Sequence, residues 1–558
     1  MHITTILRST CTRIPRVVDT TDNLNLACLN GIAARCLTFA LAFVVTAIAL
    51  PASNVIASEL VPERISSYQQ LQEAACTLSK RAYTPQPELP PDLKNINYDL
   101  FRQIGFIDGK ELWKEDPSPF RVGFYHKGYV AVDDVKINLI EGGNVVPVPF
   151  SKTYFHYLGT AAKWKIPDDL GFAGFRAQGR FPGEEQFSEI FSFVGASYFR
   201  ARASNTILGT SARGLAINCG LPEPEEFPVF REYWIEKPAT GDTSLCAYAL
   251  MDSPSVVGAY ELTMTPAIEK TEIDVRQTLY FRQVPKKVGI APLSSMWLWG
   301  DALPGAKGDH RPEVHDSDGL QVQTSDGKWF WRALGQQHYP SLVHLKQNRI
   351  RGFGLIQRDT NPVHYLDDEA LYHQRPSVWI EPRSEWGPGA IELLELPAPH
   401  EGIDNIAAWW VPEKPVEIGT PVNFNYRLSF FLGDRSEHHA SKAVAHRVTR
   451  PDAETILVEI DFNGPNLAQV HPDAPPVPQV VSIRGAVPKI ECHQKESGLW
   501  TARLEVKPTG EGPVELTVTL KSGEQELTET WAYLCPLTPP GVSLPPWKIK
   551  ADEKESIQ

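Results

Sequence analysis

Four strings within about a hundred residues mix carboxylates with tryptophan, tyrosine and arginine. They are RPEVHDSDGL (311–320), RGFGLIQRD (351–359), RPSVWIEPRSEWGPG (375–389) and ELLELPAPHEGIDNIAAWW (392–410). Sugar clefts need that mix, because C–H faces stack on rings while hydroxyls bond to charged groups. Asp316 and Asp404 are candidate functional carboxylates, with Asp318, Arg311, Trp379 and Trp386 as candidate substrate contacts. Each has a plainer reading. Asp318-Gly319 suits a β-turn, and Asp404-Asn405 suits a loop cap. Trp379, Trp386, Trp409 and Trp410 suit a core as well as a sugar platform, and Arg311, Arg351 and Arg383 suit surface ion pairs. His315 reads as hydrogen-bonding support for its neighbours. The DSDG string lacks the third acidic position and closing Glu of an EF-hand. No CxxC spacing points to zinc, and GxSxG in a strand-to-helix setting is absent. No cofactor or metal is therefore expected.

The elements that must position these residues are mainly strands. The segment RISSYQQLQEAACTLSKRAY (64–83) spaces Leu71, Ala75 and Leu78 as a helix, ended by the prolines from Pro85 to Pro91. From about residue 97 the period becomes two. Val135, Ile137 and Leu139 alternate, as do Tyr260, Leu262 and Met264, and then Ile273, Val275, Leu279 and Phe281. Asp-Gly pairs at 108–109, 318–319 and 326–327 read as hairpin turns. The pattern predicts a large antiparallel β-sandwich over 58–435 and a linker over 436–448. Alternation resumes at Ile456, Val458 and Ile460, predicting an immunoglobulin-like sandwich over 449–540 and a mobile tail over 541–558. The expected fold class is all-β.

Residues 36–50, CLTFALAFVVTAIAL, follow Arg35 and have the length of a signal-peptide core rather than a membrane span. The expectation is a Sec-type signal peptide over 1–57, cleavage near Ala52 or Ala57, and an exported chain with no stable membrane insertion. The net charge is −13, and about −15 beyond residue 57. An acidic chain is a poor nucleic-acid binder. After cleavage five cysteines remain, and Cys492 and Cys535 are either a pair or two buried thiols.

The strings ARGLAI (212–217), FPVFREYWIE (227–236), LMDSPSVVGAY (250–260) and IAPLSSMWLWG (290–300) occur in one order with PEVHDSDGL, RGFGLIQRD and RPSVWIEP. From about Tyr68 to about Tyr533 the chain resembles the osmoregulated periplasmic glucan biosynthesis family, its G type and, close to it, its D type. The resemblance implies a galactose-mutarotase-like sandwich followed by an immunoglobulin-like one. It implies work in the Gram-negative periplasm on a β-1,2-glucan backbone, as an inverting endo-β-1,2-glucanase with Asp404 as general acid and Asp316 as general base. Glu401 and Tyr372 match further cleft residues of relatives. The G type carries a Sec-like signal, and no Arg-Arg pair precedes the apolar core. Apolar neighbours Ile403, Ile406, Trp409 and Trp410 are expected to desolvate Asp404, and His315 and Ser317 to keep Asp316 ionised. The relatives' ETNDNI type of string is EGIDNI here, so Gly402 and Ile403 alter the loop. The alternatives are a non-catalytic binder presenting nascent glucan to inner-membrane glucosyl or substituent transferases, and a mutarotase-type epimerase that would need His315 at the sugar.

Overall fold

A computed structural model describes residues 64–540 and the backbone of a short strand, Ile3–Thr5. The expected signal segment otherwise lies outside the described residues, as does the tail beyond 540. Among the described residues, no helix is long and apolar enough to cross a membrane.

The expected helix is Tyr68–Ser79. Ser67 caps it by accepting from Gln70 N, which satisfies a free N-terminal donor. Tyr68, Leu71, Ala75 and Leu78 form its buried stripe, and the Tyr68 hydroxyl bonds Thr278 Oγ1 at 3.0 Å on the sheet below.

Strands make up nearly all the rest, mostly antiparallel, in two large sheets of 11 and 15 strands. The strands Val256–Thr265, Lys270–Phe281 and Val422–Phe431 pair in continuous register at the centre of the larger sheet. Alternate side chains, including Leu262, Val275 and Leu428, point into a shared core with Phe175, Phe193 and Ile391 of the facing sheet. That is the period-two reading made physical: one face of each strand is buried, so register is fixed.

The C-terminal strands form a second apolar cluster around Trp500, Trp531, Val458 and Leu516. Lys442–Thr449, Ile456–Asn463, Trp500–Pro508 and Gly485–Gln494 make one four-stranded sheet. Thr530–Cys535 pairs in parallel with Trp329–Ala333, so the other C-terminal strands continue the 15-stranded sheet. The strand Lys442–Thr449 begins inside the segment expected as a linker. Only Ala443 and His446 are fully buried along it, too few to mark it in sequence. Cys492 and Cys535 are free thiols.

Of the Asp-Gly pairs, Asp326-Gly327 does make a hairpin turn, with Gly327 at φ +89° and its N–H on Thr324 O. Asp318-Gly319 does not. Gly319 opens a central strand paired on both sides, and the Trp331 ring leaves no room there for a Cβ. That glycine answers a close ring approach, not a turn.

Candidate functional site

The site is built where loops leave the strand ends. The short strand Val314–His315 pairs with Trp297–Trp299 and carries the chain straight into Asp316. Asp316 N donates to Met296 O at 2.9 Å, which fixes the turn. The chain leaves the strand after His315, and His315 and Asp318 line one cavity while Asp316 does not. Asp404 sits in the turn before the strand Ile406–Pro412. Its neighbour Asn405 is buried, accepting from Trp297 N and donating to Trp297 O and Leu396 O, each at 2.9 Å. Asn405 thus tethers the DNI loop to the segment that leads to Asp316, and leaves Asp404 exposed. This joins two strings that are about 90 residues apart.

Asp316 is largely buried, its side chain 13% exposed. Burial pushes its carboxyl up, Arg375 opposes that from 3.4 Å, and the charge of Asp404 pushes it up further. Arg375 is anchored by Ala370 O and Leu208 O, and its guanidinium lies 5.5 Å from the Tyr372 ring centre. Tyr372 is buried, and its hydroxyl donates to Glu401 Oε2 at 2.7 Å. Burial and Glu401 together hold this phenol well above its usual range. Glu401 also accepts from Arg311 at 2.7 Å, and Arg311 is gripped by Asp309 and Asp367. Asp316, Tyr372, Glu401, Arg311 and Asp404 therefore come together from three loops. An open groove of about 940 Å³, lined by Arg202, Asn205, His373 and Gln374, adjoins the Arg375 anchor at Leu208.

Several expectations need correction. Asp404 is exposed, and Trp409 and Trp410 lie fully buried along the strand that follows it and do not enclose it. Asp316, expected in polar surroundings, is the buried carboxylate of the two. Trp379 and Trp386 are core residues, packed against Trp329 and against Trp410, Phe424 and Tyr426. Neither ring offers a sugar platform. Asp318 lies behind Asp316, near His315 at 3.5 Å, and burial raises its carboxyl to about 7. His315 is buried, with Nδ1 on Gln357 Oε1 and Nε2 on Glu313 Oε2. Burial works against its charge, but Asp318 and Glu313 outweigh it and raise His315 to about 9.

Sequence reasoning missed Arg375 as the partner of Asp316, although it heads the RPSVWIEP string. It also missed Gln357, whose side chain donates to His315 O and to Tyr372 O, each at 3.0 Å. No local pattern marks a glutamine that ties two loops together.

The family model described as periplasmic glucan biosynthesis protein, MdoG, matches residues 66–535. The glucans biosynthesis protein G of Pseudomonas paraeruginosa is 36% identical over 507 residues, covering 87% of this chain and 96% of the relative. That of Ralstonia nicotianae is 38% identical over 475 residues, covering 82% of this chain and 94% of the relative. A galactose mutarotase related enzyme from Lactobacillus acidophilus matches 44% of this chain and 98% of its own at 8% identity, with a TM-score of 0.19, too low to bear on the mutarotase-like expectation. The family match over nearly all of the described residues, with relatives covered almost end to end, establishes that the chain belongs to the MdoG family of periplasmic glucan biosynthesis proteins.

Proposed function

We propose that this protein works in the periplasm, binds β-1,2-glucan across the Asp316–Asp404 site and hydrolyses it with inversion. The observation that carries the reading is the pairing of two carboxylates in unlike settings. Asp316 is buried beside Arg375, Asp404 is exposed, and they are near enough for the charge of Asp404 to act on Asp316. Inverting hydrolysis needs one carboxyl group on each side of the glycosidic bond. Asp404, at the exposed edge, gives its proton to the leaving oxygen. Asp316 takes a proton from the attacking water as that oxygen bonds to the anomeric carbon. One proton is given and one is taken, so the pair returns to its starting charge after exchange with solvent. A carboxylate raised by burial is the stronger base once Arg375 holds it ionised, and Asp404, exposed in the free protein, carries the proton it gives only when bound glucan covers it from water. Glu401, exposed and held in place by Arg311 and by the buried Tyr372 hydroxyl, gives the sugar a fixed hydroxyl partner.

The exposure of Asp404 and the Gly402-Ile403 loop favour the second reading, a binder that presents nascent glucan to membrane transferases. The epimerase alternative has no support, because both ring nitrogens of His315 are engaged behind the site. Incubation of the purified protein with linear β-1,2-glucan separates the two remaining readings. Hydrolysis predicts shorter chains, a loss of at least about 100-fold in Asp404→Asn and in Asp316→Asn, and retained glucan binding. Binding without shortening by the unmutated protein would refute hydrolysis.

A further inference from the structure

Behind Asp316, on the opposite side of the 313–318 segment, lies a cavity of about 260 Å³. Its walls come from the large sandwich and from Ala443–His446 and Trp531 of the C-terminal strands. Four carboxylates line it: Asp301, Glu313, Asp318 and Asp359. The guanidinium among them, Arg358, is already held by Asp434 and Glu529.

Three of the lining groups converge. Glu313 Oε2 lies 2.9 Å and Asp318 Oδ1 3.5 Å from His315 Nε2. Two ligands bonded at about 2.1 Å to one ion stand roughly 3.0 to 3.4 Å apart, from octahedral to tetrahedral angles. Glu313 also shares a second group with Asp359 and His364. The far nitrogen of His315, Nδ1, faces Gln357 Oε1 at 3.0 Å. That amide cannot flip, because its Nε2 faces His315 O, Tyr365 Oη and Tyr372 O. Nδ1 must therefore donate, which aims the Nε2 position at the two carboxylates, the orientation that metal-binding histidines adopt. A further imidazole, His446, is nine-tenths buried and lines the same cavity, and its Nε2 has no partner.

We infer that Glu313, His315 and Asp318 form a site for a divalent transition cation of the manganese or zinc class, in the cavity behind the groove. Imidazole among the donors suits zinc, and the two carboxylates extend the match to manganese, whereas calcium and magnesium take oxygen ligands. The ion would brace the wall that carries Asp316 and would not touch substrate. The inference stands apart from the hydrolysis reading, since binding of the ion needs no glucan.

The test is titration calorimetry of the chelator-treated full chain with manganese chloride and, separately, with zinc chloride. Calcium and magnesium chlorides serve as comparisons. Expected is saturable binding of one equivalent of manganese or zinc, weakened at least tenfold in Glu313→Gln and in Asp318→Asn. Near-UV circular dichroism checks that each variant is folded, and Glu313→Gln, on the partly exposed ligand, decides if Asp318→Asn is not. No saturable binding of either ion overturns the inference. Binding of equal strength in the folded variants also overturns it, because the ion would then sit elsewhere.

Discussion

Burial and the charge of Asp404 act on Asp316 in the same direction, and Arg375 is the first group to oppose them. A base must be ionised to work. The acid limb of kcat/KM for glucan cleavage should therefore lie above the ordinary aspartate value of about 3.9. Arg375→Met removes the opposing cation and should move that limb to still higher pH, which a pH profile of both proteins measures. His315 gives a second pH signature, on stability. Its folded value of about 9 lies above the free value of about 6.5, so its contribution is complete below the free value and is lost as pH rises through the folded one. Melting temperature in chelator-containing buffer should fall between about pH 7 and 9, and the fall should flatten in His315→Gln. An unchanged slope in that variant would contradict the assignment. Asp316 and Asp404 were legible because their strings resemble a family. Their environments were not, because neighbours in sequence such as His315 and Asp316 do not share one cavity.

At the scale of elements, the strands were legible wherever one face is buried, as in Lys270–Phe281, where Ile273, Val275 and Leu279 face the core. The strand Lys442–Thr449 and the lack of a turn at Asp318-Gly319 were not. The first pairs with the next strand but buries only Ala443 and His446, and the second answers the Trp331 ring of the neighbouring strand, so neither leaves a period or turn signal in the sequence. Tryptophans near the site misled as well: residues 377–380 and 406–410 are buried on both faces of their strands, so Trp379, Trp409 and Trp410 lie in the core whatever loops lie beside them. Arg358, just past the strand Ile350–Ile356, and Glu529, just before Thr530–Cys535, form a buried pair, with the Glu529 side chain 0% exposed. Glu529→Gln leaves the guanidinium short of charge and should cost about 3 to 5 kcal/mol in denaturant unfolding. A cost below about 1 kcal/mol would place that pair among weak surface bridges.

At the scale of the molecule, the parallel pairing of Thr530–Cys535 with Trp329–Ala333 makes the C-terminal strands part of one sheet with the large sandwich. Sequence shows two β regions, but strand order and the continuity of the sheet depend on pairings across about 200 residues that no local pattern encodes. Calorimetric unfolding should therefore show one cooperative transition, and two well-separated transitions would mean that the sandwiches melt independently. The same assembly brings loops from residues 296–318, 366–376 and 396–405 to one place, and the proposed chemistry depends on that convergence. The anomeric form of the first product tests it most directly. Proton NMR during cleavage of linear β-1,2-glucan should show the new reducing ends appear first as the α-anomer, then mutarotate. Reducing ends that appear first as the β-anomer, or none at all, would contradict the account.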